Sequence, residues 1–152
     1  FYFGDKYSKS MNCSVDSKDG KKIFVKMGSY GIGVSRLVAA IIEAKFSNEK
    51  MKWPREVSPF DVVIIPVINK NDNSNVEKAK ILYKSLIEKG IDVLFDDIDE
   101  NISNKFKKHD LIGIPYQIIV GSKTTKDKFE FKEVGKESQV LEINKIINIL
   151  KK

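Results

Sequence analysis

Two stretches of the chain carry residue types and spacings that can do chemistry. The first is Gly28-Ser29-Tyr30-Gly31-Ile32-Gly33-Val34-Ser35-Arg36. Glycines so close together let backbone approach a ligand. Arg36 follows at the start of an apolar run, and its planar guanidinium can stack on a purine ring or hold a phosphate. A buried, unpaired charge costs several kcal/mol, so Arg36 requires a partner. Two readings stay open: a nucleotide site, or a tight turn closed by an internal salt bridge. A dinucleotide-binding loop has similar glycines, but it follows a parallel strand, and here an antiparallel hairpin precedes. The second stretch is Asp96-Asp97-Ile98-Asp99-Glu100, with Lys105-Phe106-Lys107-Lys108 close behind. Carboxylates there can accept hydrogen bonds from base amino groups, lysines can meet phosphates, and Phe106 can stack on a base. The competing reading is a solvated acidic loop, a solvated lysine face and a core phenylalanine. That reading also outweighs a metal cluster at Asp96, Asp97, Asp99 and Glu100.

Other chemistries are poorly provided for. Cys13 is the one cysteine, so no internal disulfide forms; it is expected to be buried and inert. His109 is the one histidine, which argues against a zinc site, and with no visible Ser, Cys or His partner it is expected at the surface. No metal ligands are assigned. The 152 residues are 32% charged and 41% hydrophobic, enough for one ordinary core or for a small domain with part of a second. No apolar run approaches the roughly 20 residues of a membrane helix, and a cytoplasmic protein without a signal peptide is expected. The start at Phe1 rather than Met reads as a processed product or a segment of something longer. The net charge of +6 is nearly all lysine and points only weakly to an anionic partner; just Arg36 and Arg55 are arginines.

Most of that excess charge precedes Trp53-Pro54 and Ser58-Pro59, whose prolines disfavour helix in the residue before them. Residues 51–59 therefore read as a linker between a segment 1–50 and a segment 60–152. In the first, Phe1–Tyr7 resembles a strand end. Asp19-Gly20 turns a hairpin between Met11–Val15 and Ile23–Met27. Val34–Phe46, apolar almost all round, predicts a helix buried against a sheet. The second alternates. Strands are expected at Asp61–Ile68, Ile91–Phe95, Tyr116–Val120 and Phe129–Val134, and Asn69–Asn75 is a polar loop. Helices are expected at Val76–Lys89, at Asn104–Leu111 with Ser103 as cap, and at Val140–Leu150. That order, βαβαββα, predicts an α/β fold with a mixed sheet covered by helices.

The motifs resemble a known family. Gly31-x-Gly33-x-x-Arg36 is similar to motif 3 of class II aminoacyl-tRNA synthetases. The likeness narrows with Gly4-x-Lys6-Tyr7-Ser8, Met11-Asn12, Met27-Gly28-x-Tyr30 through Leu37, Ala39 to Glu43, Trp53-Pro54, Pro59 to Val62, and Asp110-Leu111-Ile112-Gly113-Ile114-Pro115. Together, in order, these resemble the C-terminal part of bacterial-type prolyl-tRNA synthetases. The resemblance implies that 1–50 ends the catalytic domain and that 60–152 is an anticodon-binding domain. It implies that Arg36 is the catalytic arginine on ATP, with Gly31 and Gly33 beside the nucleotide. Gly4, Tyr7, Ser8 and Ser29 would lie at the amino-acid pocket. Asp97, Glu100, Lys105, Phe106 and Lys108 would meet the tRNA anticodon. Substrates would be proline, ATP with Mg²⁺, and a proline-acceptor tRNA, acting in a full-length homodimer.

The chain departs from the family pattern in places. Motifs 1 and 2 are absent, so this segment alone is expected to be inactive and to bind none of the cofactors. Ile98 and Asn101-Ile102-Ser103 stand where the family usually carries arginines, so two cationic contacts to the anticodon are expected to be missing or moved. The chain is expected to end with the last helix, as in the bacterial-type branch. The alternatives are a free-standing tRNA-binding module, or the same part of a threonyl, histidyl or glycyl enzyme. Trp53-Pro54 and the wording of Tyr30–Arg36 favour proline.

Overall fold

A computed structural model describes residues 1–69 and 72–151. Lys70 and Asn71, within the expected polar loop, and Lys152 lie outside the described residues. The chain divides into two compact units, Phe1–Val38 and Ala39–Lys152.

In the first unit β1 (Tyr2–Gly4) pairs antiparallel with β4 (Met27–Gly28), and β2 (Ser14–Asp16) pairs with β3 (Lys22–Phe24). The hairpin turns at Gly20, whose φ of +73° is the conformation that favours glycine there. Phe1–Tyr7 is not strand throughout: Gly4 ends β1 and α1 (Lys6–Ser10) begins within the same stretch. Cys13 is exposed, contrary to expectation, because a three-residue strand pair has no second layer to cover it.

Helix α2 (Val34–Lys45) forms within the expected Val34–Phe46, but none of its residues is buried. Val34 is 80% exposed and Val38 52%. The expected burial is therefore corrected: an apolar stretch can form a helix, whereas a covering layer has to be supplied separately.

The second unit is a sheet between helical layers. Strands β5 (Val62–Pro66), β6 (Val93–Phe95), β7 (Tyr116–Val120), β8 (Lys128–Glu133) and β9 (Gln139–Glu142) stand in the order β6-β5-β7-β8-β9. β5 is parallel to β6 and β7, and β8 is antiparallel to β7 and β9. β5 is buried on both faces, as its unbroken β-branched run requires. Val62, Ile64, Ile118, Phe129, Phe131 and Leu141 point to one side, against α3 (Ser74–Ile87) and α5 (Ile143–Leu150). Val63 and Ile65 point to the other, where Ile102 and Phe106 of α4 (Ile102–Ile112) pack.

The expected helix at Val140–Leu150 is strand as far as Glu142. Positions 140, 143, 146, 147 and 150 fit a helical period, but β8 would otherwise present an open row of backbone groups. Gln139–Glu142 pairs with it, burying Leu141 and turning Val140 out. The cap of α4 is also corrected: Asn101, not Ser103, is the N-cap, and its side chain accepts the Ser103 N–H at 2.9 Å.

Residues 51–57 lie along the C-terminal end of α4. The Met51 N–H donates to the Asp110 carbonyl at 2.8 Å and the Trp53 N–H to the Gly113 carbonyl at 3.0 Å. The Trp53 indole N–H donates to the Ile112 carbonyl at 2.9 Å. Arg55 and Val57 bound a short 3₁₀ turn, and Arg55 reaches Asp61 at 3.4 Å.

Candidate functional site

Helix α4 organises two neighbouring features of the second unit. The first is a buried charge cluster at its junction with β6. Asp96 follows β6 and is 5% exposed; Lys105 and His109, one turn apart on α4, are 0% and 2% exposed. The Lys105 ammonium donates to the Asp96 carbonyl at 3.1 Å and lies 3.5 Å from its carboxylate. The His109 Nε2 lies 2.6 Å from Asp96 Oδ2. A carboxylate only accepts, so Nε2 carries the proton and donates; Nδ1 is buried without a partner among the described residues.

Burial pushes the Asp96 carboxyl up. The hydrogen bonds from His109 and Lys108, the Lys105 charge and the Ile98 N–H outweigh it and hold the carboxyl below its ordinary range. For His109 burial is the larger effect: it favours the neutral ring and overcomes the opposing pull of Asp96. His109 is thus not a surface residue, and Asp96 is not part of a solvated loop. Lys105 is corrected too: its ammonium is consumed inside the protein and faces no phosphate. The sequence showed a lysine beside acids but not that a full helical turn would point it inward.

Lys108, by contrast, stays partly exposed, bridging Asp96 at 3.1 Å and Glu100 at 3.6 Å. Asp97 and Glu100 are exposed. Glu100, Asn101 and Ile102 border a hollow of about 240 Å³ with Pro66, Val67 and Ile68, outside the C-terminal end of β5. In open α/β sheets ligands bind in such crevices.

The second feature lies on the sheet face beside α4. Because Phe129 and Phe131 point into the core, Glu130 and Lys132 of β8 point the other way. With half-buried Phe106, Ile119, Lys136, Glu137 and Ser138 they line a hollow of about 400 Å³. The Lys132 ammonium sits 5.8 Å from the Phe106 ring centroid and 3.3 Å from Asp110. Ser138 donates to Glu130 at 2.6 Å, and Lys123 pairs with the same carboxylate at 2.9 Å. An aromatic ring edged by cations and acceptors suits a stacked, hydrogen-bonded base.

In the first unit, Ser29, Tyr30, Gly31 and Ile32 border an open hollow with Phe1. A Cβ at Gly31 would meet nothing within 4 Å, so the backbone there is open to a ligand. The Gly33 carbonyl accepts the Leu37 N–H at 2.9 Å and starts α2. Arg36 is exposed, so the reading of an internal salt bridge, one of the two left open, has no burial to demand it. Tyr7 is 43% exposed and meets Phe3 edge-on at 5.3 Å. Gly4 closes β1 with a φ of +57°. Ser8 is corrected: it is fully buried, and its hydroxyl donates to the Asp5 carbonyl at 3.1 Å rather than opening to a pocket.

Residues 61–152, which hold both α4 features, match the family described as anticodon binding domain. The chain belongs to the anticodon-binding domain family. Among curated relatives, it is 57% identical over 152 residues to the proline–tRNA ligase of Pelagibacter ubique, covering 99% of this chain and 34% of that protein. It is 47% identical over 152 residues to the proline–tRNA ligase of Rickettsia canadensis, again covering 99% of this chain and 34% of the relative. It therefore spans about a third of the length of these relatives. The fold is similar to prolyl-tRNA synthetase of Cryptosporidium parvum complexed with L-proline and AMP (TM-score 0.69, 19% identity, 99% of this chain and 32% of that one). It is also similar to the Giardia lamblia enzyme in complex with prolyl-adenylate (TM-score 0.66, 21% identity, 96% and 31%). The synthetase resemblance read from the motifs is thus shown.

α4 and the loop before it carry Asp97, Glu100, Phe106 and Lys108; Lys108 meets Glu100, while Phe106 borders the other hollow. Lys132, Glu130 and Lys136 escaped the sequence reading. The alternation of Phe129 and Phe131 was legible, and its outward half placed Glu130 and Lys132 on a common face. What no local pattern gave was that this face runs up to Phe106, twenty-odd residues earlier.

Proposed function

We propose that the chain is the C-terminal segment of a proline–tRNA ligase, and that its second unit binds the anticodon of a proline-acceptor tRNA on the flank of α4. The observation that carries this is the hollow at Phe106, Lys132 and Glu130, set within residues that match the anticodon-binding family. Phe106 stacks a base. Lys132 and Lys136 offer donors to base edges or phosphate, and Glu130 accepts from an exocyclic amino group. Asp97, Glu100 and Lys108 serve the next nucleotide at the crevice outside β5. Lys132 takes the place that Lys105 cannot.

The first unit serves the adenylation chemistry of the full-length enzyme. Arg36 holds the adenine or phosphates of ATP, the open backbone of Gly31 and Gly33 lies beneath the nucleotide, and Gly4, Tyr7 and Ser29 flank the proline. ATP with Mg²⁺ and proline are substrates of that whole enzyme, which works in the cytoplasm as a homodimer. Among the described residues no three His, Cys, Asp or Glu converge as a metal site. No described helix is long and apolar enough to cross a membrane.

The test is the affinity of this chain for a tRNA transcript with the proline anticodon and for one with its second and third anticodon bases changed. The proline transcript is expected to bind about tenfold tighter or better, one lost base contact being worth roughly 1–3 kcal/mol. Phe106→Ala should erase most of that preference. Equal binding of the two transcripts by the unaltered chain overturns the reading.

A further inference from the structure

A third hollow lies beside the Phe106 site and is edged by lysines. Lys45, Lys50, Lys52, Trp53 and Pro54 border it, with Val134 and Gly135 opposite, around a volume of about 600 Å³. Lys50 approaches Asp110 at 3.6 Å, and Lys132 approaches the same carboxylate at 3.3 Å. Lys52 pairs with Glu133, which Lys136 also holds at 2.8 Å. Each carboxylate is thus shared by two lysines, one at this hollow and one at the Phe106 hollow. Two acids fix four ammonium groups in place and neutralise only half their charge. Lys45 adds a further exposed cation with no ion-pair partner among the described residues.

The framework beneath is rigid. The Met51 and Trp53 backbones are hydrogen-bonded to Asp110 and Gly113. Met51 is 3% exposed, and a Cβ on Gly113 would come within 2.6 Å of its side chain. The hollow is therefore a preformed, positively charged surface continuous with the base-binding one, and the ligand complementary to it is a polyanion. Since an anticodon is one stretch of a longer strand, the anion that reaches this surface is its own backbone.

We infer that Lys45, Lys50 and Lys52 form a track for the phosphodiester backbone of the same tRNA whose bases enter the Phe106 hollow. The track rests on the anticodon reading above. It carries affinity without sequence preference, because phosphates are the same in every tRNA.

The test compares the unaltered chain, the double variant Lys50→Gln with Lys52→Gln, and the single variant Lys45→Gln. Each is titrated with the proline-anticodon transcript and its anticodon-changed partner over a range of salt. Gln for Lys leaves Asp110 with Lys132 and Glu133 with Lys136, and a thermal melt checks that the fold survives. A control pair, Lys84→Gln with Lys145→Gln, removes two lysines from the α3 and α5 layer across the sheet.

The double variant is expected to bind both transcripts about tenfold more weakly near physiological salt. Its slope of log affinity against log salt should be shallower by about 1.4, at roughly 0.7 per single-strand phosphate contact. Lys45→Gln should lower the slope by about half as much. The ratio between the transcripts should not move. Unchanged slope and affinity, or a loss no larger than the control pair's, with the anticodon preference intact, overturns the track and leaves the anticodon reading standing. A slope that stays while the anticodon ratio collapses also overturns it, since these lysines would then be reading bases. Absence of any preference in the unaltered chain removes the anticodon reading, and the track with it.

Discussion

At the scale of single residues, Asp96 is the hub on which the α4 flank depends. It accepts from His109, is flanked by Lys105 and Lys108, and lies 3.2 Å from the Ile98 N–H that begins the loop bearing Asp97 and Glu100. Asp96→Asn leaves the fully buried Lys105 charge uncompensated, and a cost of about 3–5 kcal/mol is expected in urea unfolding. Lys105→Met, which removes the cation but keeps much of its stem volume, should cost clearly less. The same cluster sets a pH dependence. Both shifts are downward, so the folded chain binds fewer protons than the unfolded one. For His109 the unfolded ring charges below its ordinary value of 6.5 while the folded ring resists, so stability falls as pH drops through that value. For Asp96 the contribution is full above its ordinary 3.8 and is lost as pH falls through its lower folded value. His109→Gln keeps a donor for Asp96 but cannot titrate, so it should flatten the stability profile between about pH 5 and 7. A profile unchanged by that substitution would remove His109 from this account.

At the scale of elements, the stretch Asp110–Pro115 works as a clasp. Gly113 ends α4 at φ +82°, and a Cβ there would meet Met51 Cγ at 2.6 Å and the Met51 carbonyl oxygen at 2.8 Å. Gly90 also has a positive φ, +74°, but a Cβ there meets nothing within 4 Å. Gly90→Ala should therefore cost about 1–2 kcal/mol, the price of the left-handed conformation alone. Gly113→Ala should cost about twice that or more, since Met51 and the 51–53 backbone must also move. Thermal melts of the two variants decide it; equal shifts would mean that the clasp yields freely. The elements differed in how openly the sequence announced them. Tyr116–Val120 emerged with its expected bounds because a β-branched strand buried on both faces has one pattern. Val140–Leu150 did not, because the same apolar spacing serves an edge strand running into a helix, and only the open edge of β8 chooses.

At the scale of the whole chain, the two units differ in how much they bury. The second has a continuous core on both faces of its sheet, with Val62, Val63, Ile64 and Ile65 all fully buried. The first has two-stranded sheets, a kind of structure that is marginal without a further layer. Amides of β5 and β7 should accordingly exchange with deuterium slowest, near the global unfolding limit. Those of β2, β3 and α2 should exchange by local opening, orders of magnitude faster. Uniform protection along the chain would show that the 152 residues fold as one cooperative body. The chain spans about a third of its relatives' length, and the apolar residues of α2 are uncovered in it.

The amino-acid order alone determined the α/β class, the positions of most strands and helices, and the family likeness. Those rest on local periodicity and on motifs whose residues are near each other in the chain. Tertiary structure decided which charged residues face water. Lys105 and Lys107 are two positions apart in one lysine run, yet one is sealed against Asp96 and the other is exposed, because a helix turns 100° per residue and only its docked side is dry. It decided that His109 is interior, that Lys132 rather than Lys105 accompanies Phe106, and that Lys50 and Lys52 share carboxylates with β8 and its following turn. Each of these is a contact between distant parts of the chain. Spacing along a sequence fixes which way a side chain leaves its own element, but only packing fixes what it meets there.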